Sequence, residues 1–242
     1  MRIGILGYGE IGKAIHSLYK RNDIYNVSIR DLSIDNELKN LDVLNICIPC
    51  VDNFVDIVTD VALESSAKTV IIHSTVRVGT TSEIQRRLNC LVSHSPVRGI
   101  HPFLLEGILT FVKFVGSSTY ETSKIVADHL QSLGLNVEIL ESSKETELGK
   151  LFDTTYYGVC IAWHGEMKKI CDSVGVSFEN TVTMFNTTYN SGYSKLNKTN
   201  VIRPVLHPPV DGIGGHCVTQ NAKLLTENFA SEALDLIMKY SR

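Results

Sequence analysis

Over the first 143 positions, short unbroken apolar runs alternate with stretches whose apolar residues recur every three or four positions. The runs are RIGIL, VSIRD, LDVLNICIP, KTVIIHST, CLVSHSPV, FVKFVG and NVEILE. Such runs suit strands buried on both faces, and the segments between them, KAIHSLYKR, VDNFVDIVTDVALES, GTTSEIQRRL and TYETSKIVADHLQSLG, suit amphipathic helices. Strand and helix in alternation predict an α/β fold with a doubly wound, mostly parallel sheet over 1–143. From Lys144 the pattern changes to helical spacing, without proline, as far as Gly175. This predicts one long helix opening an all-helical domain over 144–242. A second helix is expected in SFENTVTMFNTT, with Ser177 as N-cap and Glu179 in its first turn. A polar loop follows in NSGYSKLNKTN, then one or two terminal helices from Val218.

Composition narrows the function classes. The 242 residues carry 23 basic and 26 acidic side chains without long single-sign runs, which argues against nucleic acid as a partner. No stretch approaches 18 apolar residues and the amino terminus lacks a secretory leader pattern, so no membrane partner and a cytoplasmic location are expected. In a reducing compartment the six cysteines are expected as thiols. Cys47 and Cys50 have redox spacing, but they close an apolar strand around Pro49, which disfavours a redox role.

The first strand runs into Gly7-Tyr8-Gly9-Glu10-Ile11-Gly12 and then a helix, and the second strand ends in Asp31, nineteen residues after Gly12. In that context the glycines have separate tasks. Gly7 makes the turn, Gly9 admits a pyrophosphate to the backbone, and Gly12 lets helix pack on strand. The helix start at Glu10 and Ile11 favours the phosphates, and Asp31 favours NAD over NADP by accepting from a ribose and repelling a 2′-phosphate. Arg30 beside it weakens that preference. Further cofactor contacts are expected at the strand ends, from Pro49, Ser74 and Thr75.

Near the far end, PPVDGIGGHCVTQNAKLL crowds Gly212, Gly214 and Gly215 against His216 and Cys217 at a helix start, where a thiolate is favoured. Together with HSTVRVGTT (73–81) and the helix ELGKLFDTTYYGVCIAWHGEMKKICDSVGV, this segment resembles the UDP-glucose/GDP-mannose dehydrogenase family, and especially its UDP-N-acetylhexosamine branch. The resemblance implies a Rossmann-like domain and a two-step, NAD-dependent oxidation of a primary alcohol on a sugar-like small molecule to a carboxylate. It implies Cys217 as the nucleophile that forms a thiohemiacetal, Lys150 as the oxyanion partner, and Thr75 as an orienting hydroxyl. Substrate contacts are implied at Thr154, Gly214, Gly215, His216 and Asn221.

This sequence departs from the family at three polar positions. Val97 follows Pro96 where the family has an acid, Thr154 replaces an asparagine, and Asn221 replaces the aspartate four residues after the cysteine. The family also carries a second nucleotide-binding domain after its central helices. This sequence runs about 25 residues past Cys217 and is expected to lack that domain. Substitute bases are available in His73, His94, His101, His207 and His216. No metal is expected, because His216 and Cys217 are adjacent and lack a paired ligand motif. Two other readings stay open: an NAD-binding module without catalysis, and a one-step dehydrogenase or reductase with Lys150 as proton donor. Leu148, Leu151, Phe152, Tyr156, Ile161 and Trp163 on the long helix suggest a homodimer, as does the resemblance.

Overall fold

A computed structural model of the chain describes residues 1–99, 102–213 and 216–241, with the side chains of all of these but Asp35 and His216. The expected contacts at Gly214 and Gly215, the histidine at 101 and the side chain of His216 lie outside the described residues. The chain divides into two compact units, Met1–Lys150 and Leu151–Arg242.

The first unit is built on eight strands: β1 (Arg2–Leu6), β2 (Asn26–Asp31), β3 (Ile34–Asp35), β4 (Val43–Ile46), β5 (Thr69–Ile72), β6 (Leu91–His94), β7 (Lys113–Ser117) and β8 (Val137–Ile139). Their order is β3-β2-β1-β4-β5-β6-β7-β8, with β2/β3 and β6/β7 antiparallel and the other neighbours parallel. The order reverses between β1 and β4, the place where open sheets of this kind leave a crevice at their carboxyl ends. Helices α1 (Glu10–Tyr19), α4 (Leu104–Thr110) and α5 (Tyr120–Ser132) contribute to one apolar layer with Ile3, Ile5, Ile15, Leu18, Val115 and Leu130. Helices α2 (Phe54–Glu64) and α3 (Thr80–Arg87) contribute to the other with Leu44, Ile46, Phe54, Val58, Ile72 and Ile84. The two layers explain the unbroken runs: successive side chains of β4 and β5 point to opposite faces, and each face is covered. Each such aliphatic side chain contributes on the order of 1.5–3 kcal/mol by its burial. The two-residue β3 and the seven-residue α4 had no counterpart in the pattern, being too short for periodicity to register.

Helix α6 runs from Ser143 to Ser173, 31 residues, as one element. Its first two turns belong with the sheet unit, because Thr146 and Glu147 are buried and hydrogen-bonded there; the compact unit therefore reaches Lys150 rather than ending at residue 143. The helix stops before Gly175, whose φ of +70° only glycine adopts readily.

In the second unit a π-helical turn, Glu179–Thr183, leads into α7 (Met184–Lys195). The stretch NSGYSK, expected as loop, is helical. Asn190 holds it by donating to the Arg203 carbonyl (2.8 Å) and accepting the Arg203 amide (2.9 Å), and the Arg203 guanidinium lies 3.6 Å from the Tyr189 ring. Helices α8 (His216–Thr226) and α9 (Glu232–Lys239) complete the unit. They approach α6 where it has no side chains: a Cβ on Gly158 would strike Val218 and Ile237, and one on Gly165 would strike the Tyr240 ring.

Candidate functional site

At the end of β1 the chain turns through Gly7, whose φ is +94° and whose amide donates to the Arg30 carbonyl (2.8 Å). A Cβ on Gly12 would overlap the Gly7 carbonyl oxygen, so helix and turn touch only because that Cβ is missing. Gly9 differs from both. A Cβ there meets nothing within 4 Å, and as the N-cap of α1 it brings no side chain to the first amides among the described residues. A helix start whose cap residue carries no side chain fits the approach of a pyrophosphate. Glu10 is exposed and Ile11 half-buried on the first turn.

Asp31 closes β2 and its carboxylate accepts the Tyr8 amide at 2.5 Å, which fixes it at the mouth of the glycine turn with further acceptor capacity. Arg30 is drawn into a two-pronged pair with Glu64 (2.7 and 3.1 Å), and the guanidinium holds the Glu64 carboxyl below its usual range. Its charge is thus neutralised locally. At the ends of β4 and β5, Pro49 is exposed and Thr75 half-buried. Ser74 is buried and donates to the Ile48 carbonyl (2.6 Å), so its hydroxyl ties the two strand ends together.

The start of α6 is fastened to the same edge. Glu147 accepts the amides of Gly79 (2.6 Å) and Thr81 (2.8 Å), capping α3 from outside, while burial pushes its carboxyl pKa up. Thr146 Oγ1 lies 2.8 Å from His94 Nδ1, and His94 Nε2 is 3.0 Å from the Ser74 carbonyl. Lys150, half-buried, follows on this helix, near enough for its charge to depress the pKa values of His94 and Lys113. His94 is pushed down to about 3, chiefly by burial, and burial with the charge of Lys113 carries His73 well below its ordinary value. Both are neutral members of internal networks; neither opens to solvent as a base.

Beneath the strand ends lies a file of buried polar groups: Lys113, His73, Asn45 and Tyr19, then the half-buried His129. His73 Nε2 is 2.9 Å from Asn45 Oδ1, and the Tyr19 hydroxyl is 2.8 Å from His129 Nε2. Val97, where the family's acid would stand, is buried in the apolar layer with Leu104 and Ile108. Glu147, Lys113 and Asn45 were not singled out from the sequence. The available signal was a polar letter inside an apolar strand, as in VLNI and FVKFV.

In the second unit Cys217 is exposed on the first turn of α8, and Asn221, one turn later, is buried. Thr154 is half-buried on α6, four residues after Lys150. Glu166 accepts from Tyr240 Oη (2.6 Å), Lys239 (2.9 Å) and Lys169 (3.1 Å), and these donors hold its carboxyl down at about 2. Among the described residues no three His, Cys, Asp or Glu side chains are grouped to hold a metal, and no helix is long and apolar enough to cross a membrane.

The glycine turn, the acid ending β2 and the reversal of strand order define a doubly wound, Rossmann-like fold. Over 144–241 the chain matches the model of the UDP-glucose/GDP-mannose dehydrogenase family, central domain. It is 23% identical over 214 residues to the UDP-N-acetyl-D-mannosamine dehydrogenase of Methanocaldococcus jannaschii, a match covering 81% of this chain and 47% of the relative. The chain thus spans about half the length of that relative. The solved UDP-D-ManNAc dehydrogenase of Pyrococcus horikoshii superposes with a TM-score of 0.76 at 18% identity, covering 100% of this chain and 68% of the other. The 3-hydroxyisobutyrate dehydrogenase of Mycobacterium tuberculosis superposes with a TM-score of 0.69 at 13% identity, covering 98% and 91%.

Proposed function

We propose that this protein is an NAD-dependent dehydrogenase of the nucleotide-sugar type, oxidising a primary alcohol on a sugar-like substrate. The observation that carries this reading is the fastening of α6 to the carboxyl edge of the sheet through Thr146 and Glu147, which brings Lys150 to the edge where the open glycine turn lies. Gly7, Gly9 and Gly12 admit the dinucleotide, the first turn of α1 receives its phosphates, and Asp31 accepts from the adenosine ribose. The pairing of Arg30 with Glu64 offsets the cation that would favour a 2′-phosphate. When bound, NAD accepts hydride from the alcohol carbon. Lys150 holds the oxygen of that carbon as negative charge develops on it. The Cys217 thiolate then adds to the aldehyde carbon to give a thiohemiacetal; loss of its hydride to a second NAD would give a thioester, and water releases the acid from the cysteine.

A second reading stops after one oxidation. Val97 turns into the apolar layer and Asn221 holds no transferable proton at neutral pH, so the two acids that serve the family's later steps have no carboxylate here. The nearly full-length superposition on a hydroxyacid dehydrogenase favours the same reading. Product analysis separates the two: two reduced cofactors and a carboxylate per substrate support the first, one and an aldehyde or ketone the second. Absence of any turnover across nucleotide sugars and hydroxy acids would leave only a binding module.

A further inference from the structure

Lys113 opens β7 with 3% of its surface exposed, in the middle of an apolar layer. A methionine of similar length would be cheaper to bury, so the cation needs a reason. Its ammonium donates to the Ser95 carbonyl and to the Pro96 carbonyl (2.9 Å), and lies 3.2 Å from His73 Nδ1, which is itself 3.1 Å from the Ser95 carbonyl. His73 Nε2 lies 2.9 Å from Asn45 Oδ1, and Asn45 donates to the Gly4 carbonyl (3.2 Å), so each of these buried polar groups has a partner in the file.

The backbone explains what Lys113 replaces. The antiparallel ladder between β6 and β7 holds only two pairs, Ser93 with Ser117 and His94 with Gly116. Past His94 the chain is held on its β5 side, by Ser95 N–H to the Ile72 carbonyl (2.8 Å) and Val97 N–H to the His73 carbonyl (3.2 Å). On its β7 side the lysine side chain takes the place of ladder amides. This is the segment in which the resemblance places a catalytic acid, and the charge of Lys150 is felt by the Lys113 ammonium that holds it.

We propose that Lys113 is a positioning residue, clamping Ser95–Val97 at the carboxyl end of β6 and so holding the floor of the site beside Lys150. The proposal rests on the dehydrogenase reading for its link to catalysis, while the clamp itself can be measured without substrate. The titratable groups around Lys113 are Cys47 at the end of β4, His73 after β5 and Lys150 on α6, with His94 on β6 and His129 on α5 acting on His73. Burial, reinforced by Lys150, brings the Lys113 pKa down to about 7. The clamp therefore weakens as pH rises through neutrality.

The test is amide hydrogen exchange on the full chain without ligands, comparing wild type with Lys113→Met and Lys113→Gln. Exchange at Ser95 and Val97 should rise by ~10-fold or more relative to Ile5 and Ile46 in Lys113→Met, the loss expected for one or two buried hydrogen bonds, and by less in Lys113→Gln. In wild type, exchange at the same two amides, corrected for intrinsic rates, should rise from pH 6 to pH 9 relative to Ile5; this series needs no variant to fold. Unchanged protection at both amides, or a loss shared equally by the whole sheet, overturns the clamp. For catalysis, kcat should fall with rising pH through neutrality in wild type, and Lys113→Gln should lose that limb at little change in KM. An unaltered kcat and pH profile in a variant with raised exchange overturns the positioning role. No turnover by wild type overturns the dehydrogenase reading instead, and the exchange data still decide the clamp.

Discussion

The buried histidines make the sheet unit acid-labile by a calculable amount. His94 is fully enclosed between Ser74 and Thr146, with its pKa at about 3 against an ordinary value of 6.5. The folded state thus resists protonation that the unfolded chain accepts. Between these two values the unfolded state binds one more proton, so stability is lost as pH falls from 6.5 toward 3, at about 1.4 kcal/mol per pH unit. Over pH 7.5 to 4.5 that is about 2.7 kcal/mol from His94 alone. His73, depressed in the same direction, adds to it, and Glu147, whose raised pKa favours its protonated form in the fold, opposes it. Comparing wild type with His94→Gln isolates the first contribution, since the other two groups remain in both. Urea unfolding followed by circular dichroism at pH 7.5, 6.5, 5.5 and 4.5 measures it. The variant should be less stable at pH 7.5, and the gap should narrow by about 2–3 kcal/mol at pH 4.5. A gap that stays constant with pH would show that His94 titrates normally in the fold, and the enclosed network described above would be wrong.

The two glycines of the cofactor turn should separate by assay. Gly12→Ala, which forces a methyl onto the Gly7 carbonyl, should cost about 1–3 kcal/mol of stability, read from thermal unfolding. Gly9→Ala has room, and should leave stability within about 1 kcal/mol while lowering NAD affinity at least ~10-fold by calorimetry. Tyr240→Phe removes one of the three donors on Glu166, and limited proteolysis should then release the α9 segment faster than in wild type. Phe152, Tyr156, Trp163 and Ile170, each at least half exposed, fall on one face of α6. Light scattering is expected to find a wild-type dimer joined through this face, and Tyr156→Glu with Trp163→Glu should make it a monomer; a wild-type monomer overturns the expectation.

The architecture was readable because the central parallel strands β1, β4 and β5 are covered on both faces, so their letters are almost all apolar. The Gly7–Gly12 turn and Asp31 stood out for the same reason: they interrupt that pattern where strands end. What stayed hidden obeys a different logic. Lys113 and Asn45 read as single polar letters in apolar strands, and their meaning depends on carbonyls and side chains far along the chain, Ser95 and Pro96 for one and Gly4 and His73 for the other. Helix α7 overran its expected end because Asn190 and Tyr189 meet Arg203, contacts between residues 13 and 14 apart that local propensity does not register. The spacing of Cys47 and Cys50 suggested redox chemistry weakly, and burial, which pushes the Cys47 thiol up to about 12, removes the thiolate it needs.

The central claim is that the chain oxidises a sugar-like alcohol with NAD, using Lys150 and Cys217. It is tested most directly by the absorbance of reduced nicotinamide when the full chain is mixed with NAD and a panel of nucleotide sugars, with Lys150→Met and Cys217→Ala run beside it. The account predicts turnover of at least one nucleotide sugar, a fall of ~100-fold or more in kcat for Lys150→Met, and loss of acid formation for Cys217→Ala. Tight NAD binding with no turnover of any substrate, unaffected by either substitution, would contradict it.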